Sequence, residues 1–423
     1  MRRGDRTMLR PHALDLEGRG IADAEDRQVF VENLFVGESA EVAIEHLSRG
    51  APVAFGRVVE RGDTLPTRRE VPCESHYQSS GRCSGCPLMT LSEEAQRLQK
   101  VALLAHLSLT VERVEEAPRA LGYRMASKRV AFPTRAGLTL GSYIRGSHRW
   151  ADMAHCLVDH PQIADAARLL VTEARALGLR AWTKREPKGL RAVWLKTDGR
   201  AVLVTLVAPP AFQAFATDLA ARLPAHIGIA FSSQTEGSNN LRGNKPIVLR
   251  EPSSLTLEGT EVGPLGFLQP NPEVAHQMYD VLLRDEHGNP LQGSLAFDLY
   301  AGAGFTTRRL ATNFETVVPC ESYAESAAAL GVEPSDAVTF LANASSAPEF
   351  INANPPRKGL GANVCATLRR LGAPRVHIMA CGPKGLARDL ADLTPHYRLV
   401  ELRAFDTLPQ TPHVEVIAKL VLA

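Results

Sequence analysis

The chain has 423 residues, 44% hydrophobic and 22% charged, a composition that fits two or three globular domains and excludes a fibrous or disordered protein. The formal net charge is only +2, so a nucleic-acid partner has to be held by a local basic surface and not by the field of the whole molecule. The longest apolar stretches, 201–212 and 414–423, fall short of the roughly 20 residues of a membrane helix, and the basic start lacks the apolar core of a signal peptide. No membrane partner is expected. Seven cysteines, an odd number with a cluster at 73, 83, 86 and 156, suit a reducing cytoplasm better than a disulfide framework.

Residues 1–66 hold short alternating segments, such as Gln28-Val-Phe-Val31, Ala40–Ile44 and Pro52–Phe55, separated by Gly18, Gly20, Gly37 and Gly50. This pattern predicts a small β-barrel of the OB type, a fold that commonly offers a strand face to oligonucleotides. Residues 67–265 read as mixed α+β: helices around 92–107 and 161–177, with strands near 128–132 and 192–196. From 266 to 423 the rhythm becomes strand, glycine turn, helix, strand, which predicts a parallel sheet covered by helices on both faces.

In the middle segment, Cys73, Cys83 and Cys86 lie among Gly81, Gly85 and Pro87, so two or more thiolates could face one metal, with Cys156 as a fourth ligand. Zinc and an iron–sulfur cluster fit this spacing equally, and His76, His155 and His160 are candidate replacement ligands. Arg124, Lys128 and Arg129 are candidates to grip a nucleic-acid backbone, against the plainer reading of a solvated strand face.

In the last segment, Asp298-Leu-Tyr-Ala-Gly-Ala-Gly304 stands where a strand hands over to a helix. Gly302 and Gly304 permit a sharp turn and close approach of a ligand. A dinucleotide site would carry a third glycine where Thr307 stands, so hydride transfer is disfavoured. Glu321, at the end of the next strand, is placed to bind a ribose, and glycine turn plus acid points to S-adenosylmethionine. Cys381 follows an apolar strand and precedes a Gly-Pro turn and a helix, where a helix N-terminus is expected to favour the thiolate. Glu415 opens the last apolar segment, and partial burial would make it a base.

Taken together, these segments resemble the TrmA/RumA family of RNA 5-methyluridine methyltransferases over nearly the whole chain. The N-terminal Glu17-Gly-Arg-Gly-Ile-Ala22 is similar to the RNA-binding TRAM domain, and Cys73, Cys83, Cys86 and Cys156 resemble the family's ligands of a 4Fe-4S cluster. Phe267-Leu-Gln-Pro-Asn271 resembles an element that makes Gln269 a cofactor contact, and Tyr300 stands where an aromatic residue is usual. The family's Asp-Pro-Pro-Arg motif reads Asn354-Pro-Pro-Arg357, with an amide in place of a carboxylate at a cofactor contact. Ala380–Asp389 and Thr411–Glu415 resemble the segments carrying the catalytic cysteine and the base.

The resemblance implies an α/β Rossmann-like methyltransferase domain, an OB-like TRAM β-barrel and a central iron–sulfur domain. It also implies methyl transfer from S-adenosyl-L-methionine to uracil carbon 5 through a covalent Cys381 adduct resolved by Glu415. The partner is then RNA, with 23S rRNA favoured over tRNA by the TRAM-like segment, and the protein is expected to act as a monomer. A catalytically degenerate RNA-binding paralogue, suggested by Asn354, is the alternative.

Overall fold

The computed structural model describes residues 1–234 and 241–423. The N-terminal strands are β1 (Arg6–Leu9), β2 (Ala13–Leu14), β3 (Gly20–Ala24), β4 (Arg27–Val31), β5 (Ala40–Leu47) and β6 (Val53–Arg61). They form one sheet in the order β1-β5-β6-β4-β3-β2. Strict alternation drives them: in β5, Ala40, Val42 and Ile44 turn inward while Glu41 and Glu45 face out. The inward residues pack with Val29, Val31 and Ala54 into a small core.

Helix α1 (Glu93–His106) begins where the Ser92 hydroxyl accepts from the amide of Ala95 at 3.3 Å, with Glu93 and Glu94 in the first turn. After it comes β7 (Val114–Glu115).

The middle of the chain supplies β8 (Ala126–Thr134), β9 (Gly137–Tyr143), β10 (Trp150–Asp152), α2 (Pro161–Ala176), β11 (Ala192–Thr197), β12 (Val202–Ala208), α3 (Gln213–Arg222), β13 (Ile227–Ser233) and β14 (Ile247–Arg250). A short hairpin follows, β15 (Leu255–Leu257) and β16 (Thr260–Val262). The sheet order is β10-β9-β8-β11-β12-β13-β14, antiparallel except between β12 and β13. Helix α2 starts with Pro161 in its first turn and the His160 ring accepting from the amide of Gln162 at 3.3 Å. His160, a candidate metal ligand by sequence, is thus a helix cap.

The C-terminal elements are α4 (Pro272–Leu282), β17 (Gly293–Leu299), α5 (Phe305–Leu310), β18 (Phe314–Cys320), α6 (Ala324–Ala329), α7 (Ala337–Ala342), β19 (Phe350–Ala353), α8 (Ala362–Leu371), β20 (Arg375–Ala380), α9 (Pro383–Leu393), β21 (Tyr397–Phe405) and β22 (Glu415–Leu422). Their sheet runs β18-β17-β19-β20-β22-β21-β7. The first four strands are parallel and β22 returns antiparallel against β20, so the sheet is mixed, where the sequence alone predicted a parallel one. The strand order reverses at β17, which opens a crevice at the carboxyl ends of β17 and β19.

Met1–Glu70, Cys86–Pro118 and Glu273–Ala423 form one compact unit, and Val71–Gly85 with Arg119–Pro272 form the other. Among the described residues no helix is long and apolar enough to cross a membrane.

Within the first unit, α1 ties down the loop between β21 and β22. The Lys100 ammonium, fully buried, donates to Asp406 Oδ1 at 2.5 Å, and the Gln96 and Gln410 amides bond reciprocally at 2.8 Å. Burial drives the Lys100 pKa down while the Asp406 charge holds it up. Removing one partner of such a pair strands a buried charge, at a cost of about 3–5 kcal/mol. We therefore expect Lys100→Met to lose stability on that scale in denaturant unfolding. Adding Asp406→Leu should recover most of the loss; a double variant as unstable as the single one would show that packing, not charge, is at stake.

Candidate active site

The glycine turn departs from β17 through Tyr300, Gly302 and Gly304, with φ of 60°, 58° and 83°. A Cβ at Gly304 would lie 2.6 Å from Leu330, whereas one at Gly302 would meet nothing within 4 Å, so Gly302 borders open space. Beneath the turn, the fully buried Asp298 carboxylate accepts from Thr306 Oγ1 at 2.8 Å, Thr307 Oγ1 at 2.5 Å and Asn352 Nδ2 at 2.6 Å. These bonds clamp the first turn of α5 and the end of β19 to β17. Burial pushes the Asp298 carboxyl up and the three donors pull it back.

Just past β18, Glu321 accepts from the amides of Gly302 at 2.8 Å and Tyr323 at 2.7 Å. Each carboxylate oxygen keeps a further lone pair beside the turn. Asn354 lies just past β19, its amide donating to Leu299 O at 3.2 Å, so it stands next to the same strand end. Tyr300 is half-buried, its phenol pushed up to about 12 by burial. Turn, acid and strand reversal thus meet at one crevice of the first unit. Gln269 lies in the second unit, on the irregular stretch between β16 and α4.

Cys381 and Glu415 are brought together by strand pairing. Ala380 is registered against Val416, so the next residues outward are Cys381 on β20's exit and Glu415 at the start of β22. Burial and the Glu415 charge push the Cys381 thiol up, while Arg357 draws it down through its charge and a side-chain hydrogen bond. The lowering expected from the α9 N-terminus therefore does not win here. Glu415 is buried, its Oε2 has no hydrogen-bond partner among the described residues, and burial pushes its carboxyl up to about 7 against the pull of Arg357.

In the sequence Arg357 stood only as the last residue of the Asn354-Pro-Pro-Arg357 motif. Its loop is fixed by Asp389, which accepts from the amides of Leu360 at 2.7 Å and Gly361 at 3.0 Å. Gly382 allows the approach, since a Cβ there would lie 2.1 Å from the Arg357 carbonyl oxygen.

The expected four-thiolate centre is not supported. Among the described residues no three His, Cys, Asp or Glu side chains gather to hold a metal ion. The wide interval between Cys73 and Cys83 closes as local turns, with the His76 amide donating to Cys73 O at 3.0 Å and the Cys83 amide to Ser75 O at 2.6 Å. Cys86 belongs to the first unit, and Cys73, Cys83 and Cys156 to the second. Burial pushes the Cys83 thiol up and that of Cys156 up to about 12. His76 is buried with its Nδ1 accepting from Gln78, and His155 is exposed.

The three candidate backbone-gripping cations also separate. Arg129 is fully buried and paired with the equally buried Asp159, so it cannot reach a phosphate. Lys128 is exposed, its ammonium 3.7 Å from the Trp194 ring centroid. Arg124 is half-buried.

A sheet that reverses at a glycine turn, with an acid on the neighbouring strand, defines the methyltransferase class of α/β folds. The whole chain superposes on the crystal structure of the Pyrococcus abyssi tRNA (uracil-54, C5)-methyltransferase with S-adenosyl-L-homocysteine, at a TM-score of 0.73 and 21% identity, covering 99% of this chain and 100% of that one. The 23S rRNA (uracil(747)-C(5))-methyltransferase RlmC of Shewanella amazonensis is 30% identical over 383 residues, 82% of this chain and 97% of that protein. The 23S rRNA (uracil(1939)-C(5))-methyltransferase RlmD of Methylococcus capsulatus is 29% identical over 432 residues, 95% of this chain and 94% of its own. No family model matches the sequence. At this identity and coverage the chain belongs to the RNA methyltransferase family of the Shewanella enzyme, and it is an S-adenosylmethionine-dependent RNA methyltransferase.

The buried carboxylate has a thermodynamic signature. Glu415 titrates near 7 when folded against an ordinary 4.5, so between these values the folded protein binds more protons than the unfolded chain. Stability must therefore fall as pH rises from about 4.5 to about 7, by about 3 kcal/mol at full effect. Glu415→Gln should melt above the parent protein at pH 8, and the gap should close below pH 5. A pH-independent gap in calorimetric melting would mean that Glu415 titrates normally.

Proposed function

We propose that the protein methylates carbon 5 of a uracil in RNA, with Cys381 as covalent nucleophile and Glu415 as general base. The observation that carries this reading is the pairing of a thiol with a buried carboxylate poised near neutrality, with Arg357 acting on both. Gly302, Gly304 and Glu321, with Tyr300, Asn354 and Gln269, are assigned to S-adenosylmethionine; the open space at Gly302 and the free lone pairs of Glu321 suit a ribose and its chain. When bound, that cofactor supplies an electrophilic methyl group.

The chain's own residues do the rest. The Cys381 thiol, only partly buried, gives up its proton to solvent, and Arg357 stabilises the thiolate through charge and a hydrogen bond. The sulfur forms a bond to uracil carbon 6, moving an electron pair toward carbon 5, which accepts the methyl group. Glu415, ionised at and above about pH 7, then takes the proton from carbon 5; the carbon–sulfur bond breaks and its electron pair returns to Cys381. The uracil must be unstacked from its neighbours to admit attack at carbon 6.

We assign residues 1–66 to an RNA-binding TRAM-like barrel, 67–265 to a central domain and 266–423 to the methyltransferase domain, and 23S rRNA as the target of a cytoplasmic monomer. The rRNA-directed relatives support this choice over tRNA.

Removing the base should stop the cycle while enzyme and RNA are still bonded. Glu415→Gln is expected to accumulate a denaturation-resistant protein–RNA adduct when cofactor and substrate RNA are supplied, read as a shifted band on a denaturing gel. Cys381→Ala should form no adduct and transfer no methyl; methylation persisting in that variant sinks the nucleophile assignment.

Calorimetry tests the cofactor site. Glu321→Ala should weaken S-adenosylmethionine binding by about 1–3 kcal/mol through loss of a charge-assisted bond. Asn354→Asp asks whether the amide has cost a contact: tighter binding would mean that it has. No binding in any form would instead favour an RNA-binding protein without activity.

A further inference from the structure

The seven-stranded sheet of the second unit has two unlike faces. One face, with Ala131, Val193, Leu195, Val204 and Ile229, is buried with α2 and α3. Because side chains alternate along a strand, the registers Tyr143↔Trp150, Phe132↔Thr139 and Lys128↔Trp194 place Lys128, Phe132, Tyr143, Trp150 and Trp194 together on the other face. There Phe132 stacks on Trp150 with centroids 5.4 Å apart and planes at 10°, and meets Tyr143 edge-on at 5.0 Å. Tyr143 is 54% exposed, although it is a large ring fixed against Phe132.

Cations flank these rings. Lys128 is exposed above Trp194, and the turn joining β9 to β10 carries exposed His148 and Arg149. His148, Arg149, Arg82 and Trp150 line a cleft of about 740 Å³ that also includes Glu74 and Asp152. Asp152 is already engaged by Thr139 Oγ1 at 2.8 Å and the amide of Ala154 at 2.7 Å.

We propose that this face, centred on Tyr143 with Lys128 and Arg149 beside it, is a stacking platform for single-stranded RNA, an inference that rests on the reading of the protein as an RNA-modifying enzyme. An aromatic ring held in place from behind loses little freedom when a base stacks on it, and every base offers a π-face. The neighbouring cations suit the phosphates that follow each base. A duplex keeps its bases inside the helix, so such a surface selects unpaired RNA. Its role is to hold nucleotides of the substrate that are not themselves methylated.

The test uses the full-length protein and a fluorescein-labelled, uridine-rich single-stranded oligoribonucleotide, with anisotropy read over a salt series. Tyr143→Ala should bind roughly tenfold more weakly, while Tyr143→Phe should stay within roughly twofold of the parent, since it keeps the ring. Lys128→Ala should reduce the slope of log affinity against log salt by about one phosphate contact. Unchanged affinity in a Tyr143→Ala protein that melts like the parent overturns the proposal, as does equal weakening toward a duplex of the same length. S-adenosylmethionine binding by the parent protein is measured separately by calorimetry. Its absence would remove the methyltransferase reading while a Tyr143-dependent affinity still upheld the platform.

Discussion

The antiparallel pairing of β22 against β20 is the constraint on which the site depends. It sets the exit of one strand beside the entry of the other, and so fixes Cys381 next to Glu415 without any bond between the two side chains. Burial penalises the charged form of each acid, and the Glu415 charge adds to the penalty on Cys381. Arg357 is the one cation acting on both among the described residues, and it favours both anions. The balance leaves the Glu415 carboxyl poised at about 7, while the Cys381 thiol stays above its ordinary value. A sheet continued by another parallel strand would have put the start of that strand, with its Glu, at the opposite edge.

Around that pair the fold spends polar groups on position. Asp389 holds the Arg357 loop by two amides, Gly382 removes the atom that would obstruct it, and α1 pins the 406–411 loop through Lys100 and Gln96. On the cofactor side Asp298 does the same work with three donors. Its partner Asn352 also faces inward from β19, with an Oδ1 that finds no donor among the described residues. A carboxylate there would confront Asp298 across the strands; the amide instead donates to it.

Much of the α/β segment was legible because glycine and apolar periodicity mark where a strand gives way to a helix. The strand expected before the glycine turn and the helix expected after Cys381 appear as β17 and α9. What escaped were facts decided by partners distant in sequence. Lys128 and Arg129 are neighbours with the same charge, yet alternation sends one to solvent and the other to Asp159, which local sequence cannot reveal. The thiol pKa of Cys381 depends on Glu415 and Arg357, and neither is local to it. The cysteine spacing was read as a ligand set, but among the described residues no three such side chains gather to hold a metal ion.

The route of the chain has a consequence for the order in which it can assemble on the ribosome. Residues 119–272, most of the second unit, are contiguous, so its seven-stranded sheet can close while later residues are still unmade. The first unit cannot: β7 at Val114–Glu115 waits for parallel pairing with Ala404 and Phe405. β20 likewise waits for β22, which follows it only after α9 and β21. Such long-range pairing makes closure of the catalytic sheet a late, slow event. Until then α1, with its fully buried lysine, has no Asp406 to receive that charge, and a nascent chain has every reason to leave that helix in water. A chain released before β22 is made therefore lacks the reactive pair altogether.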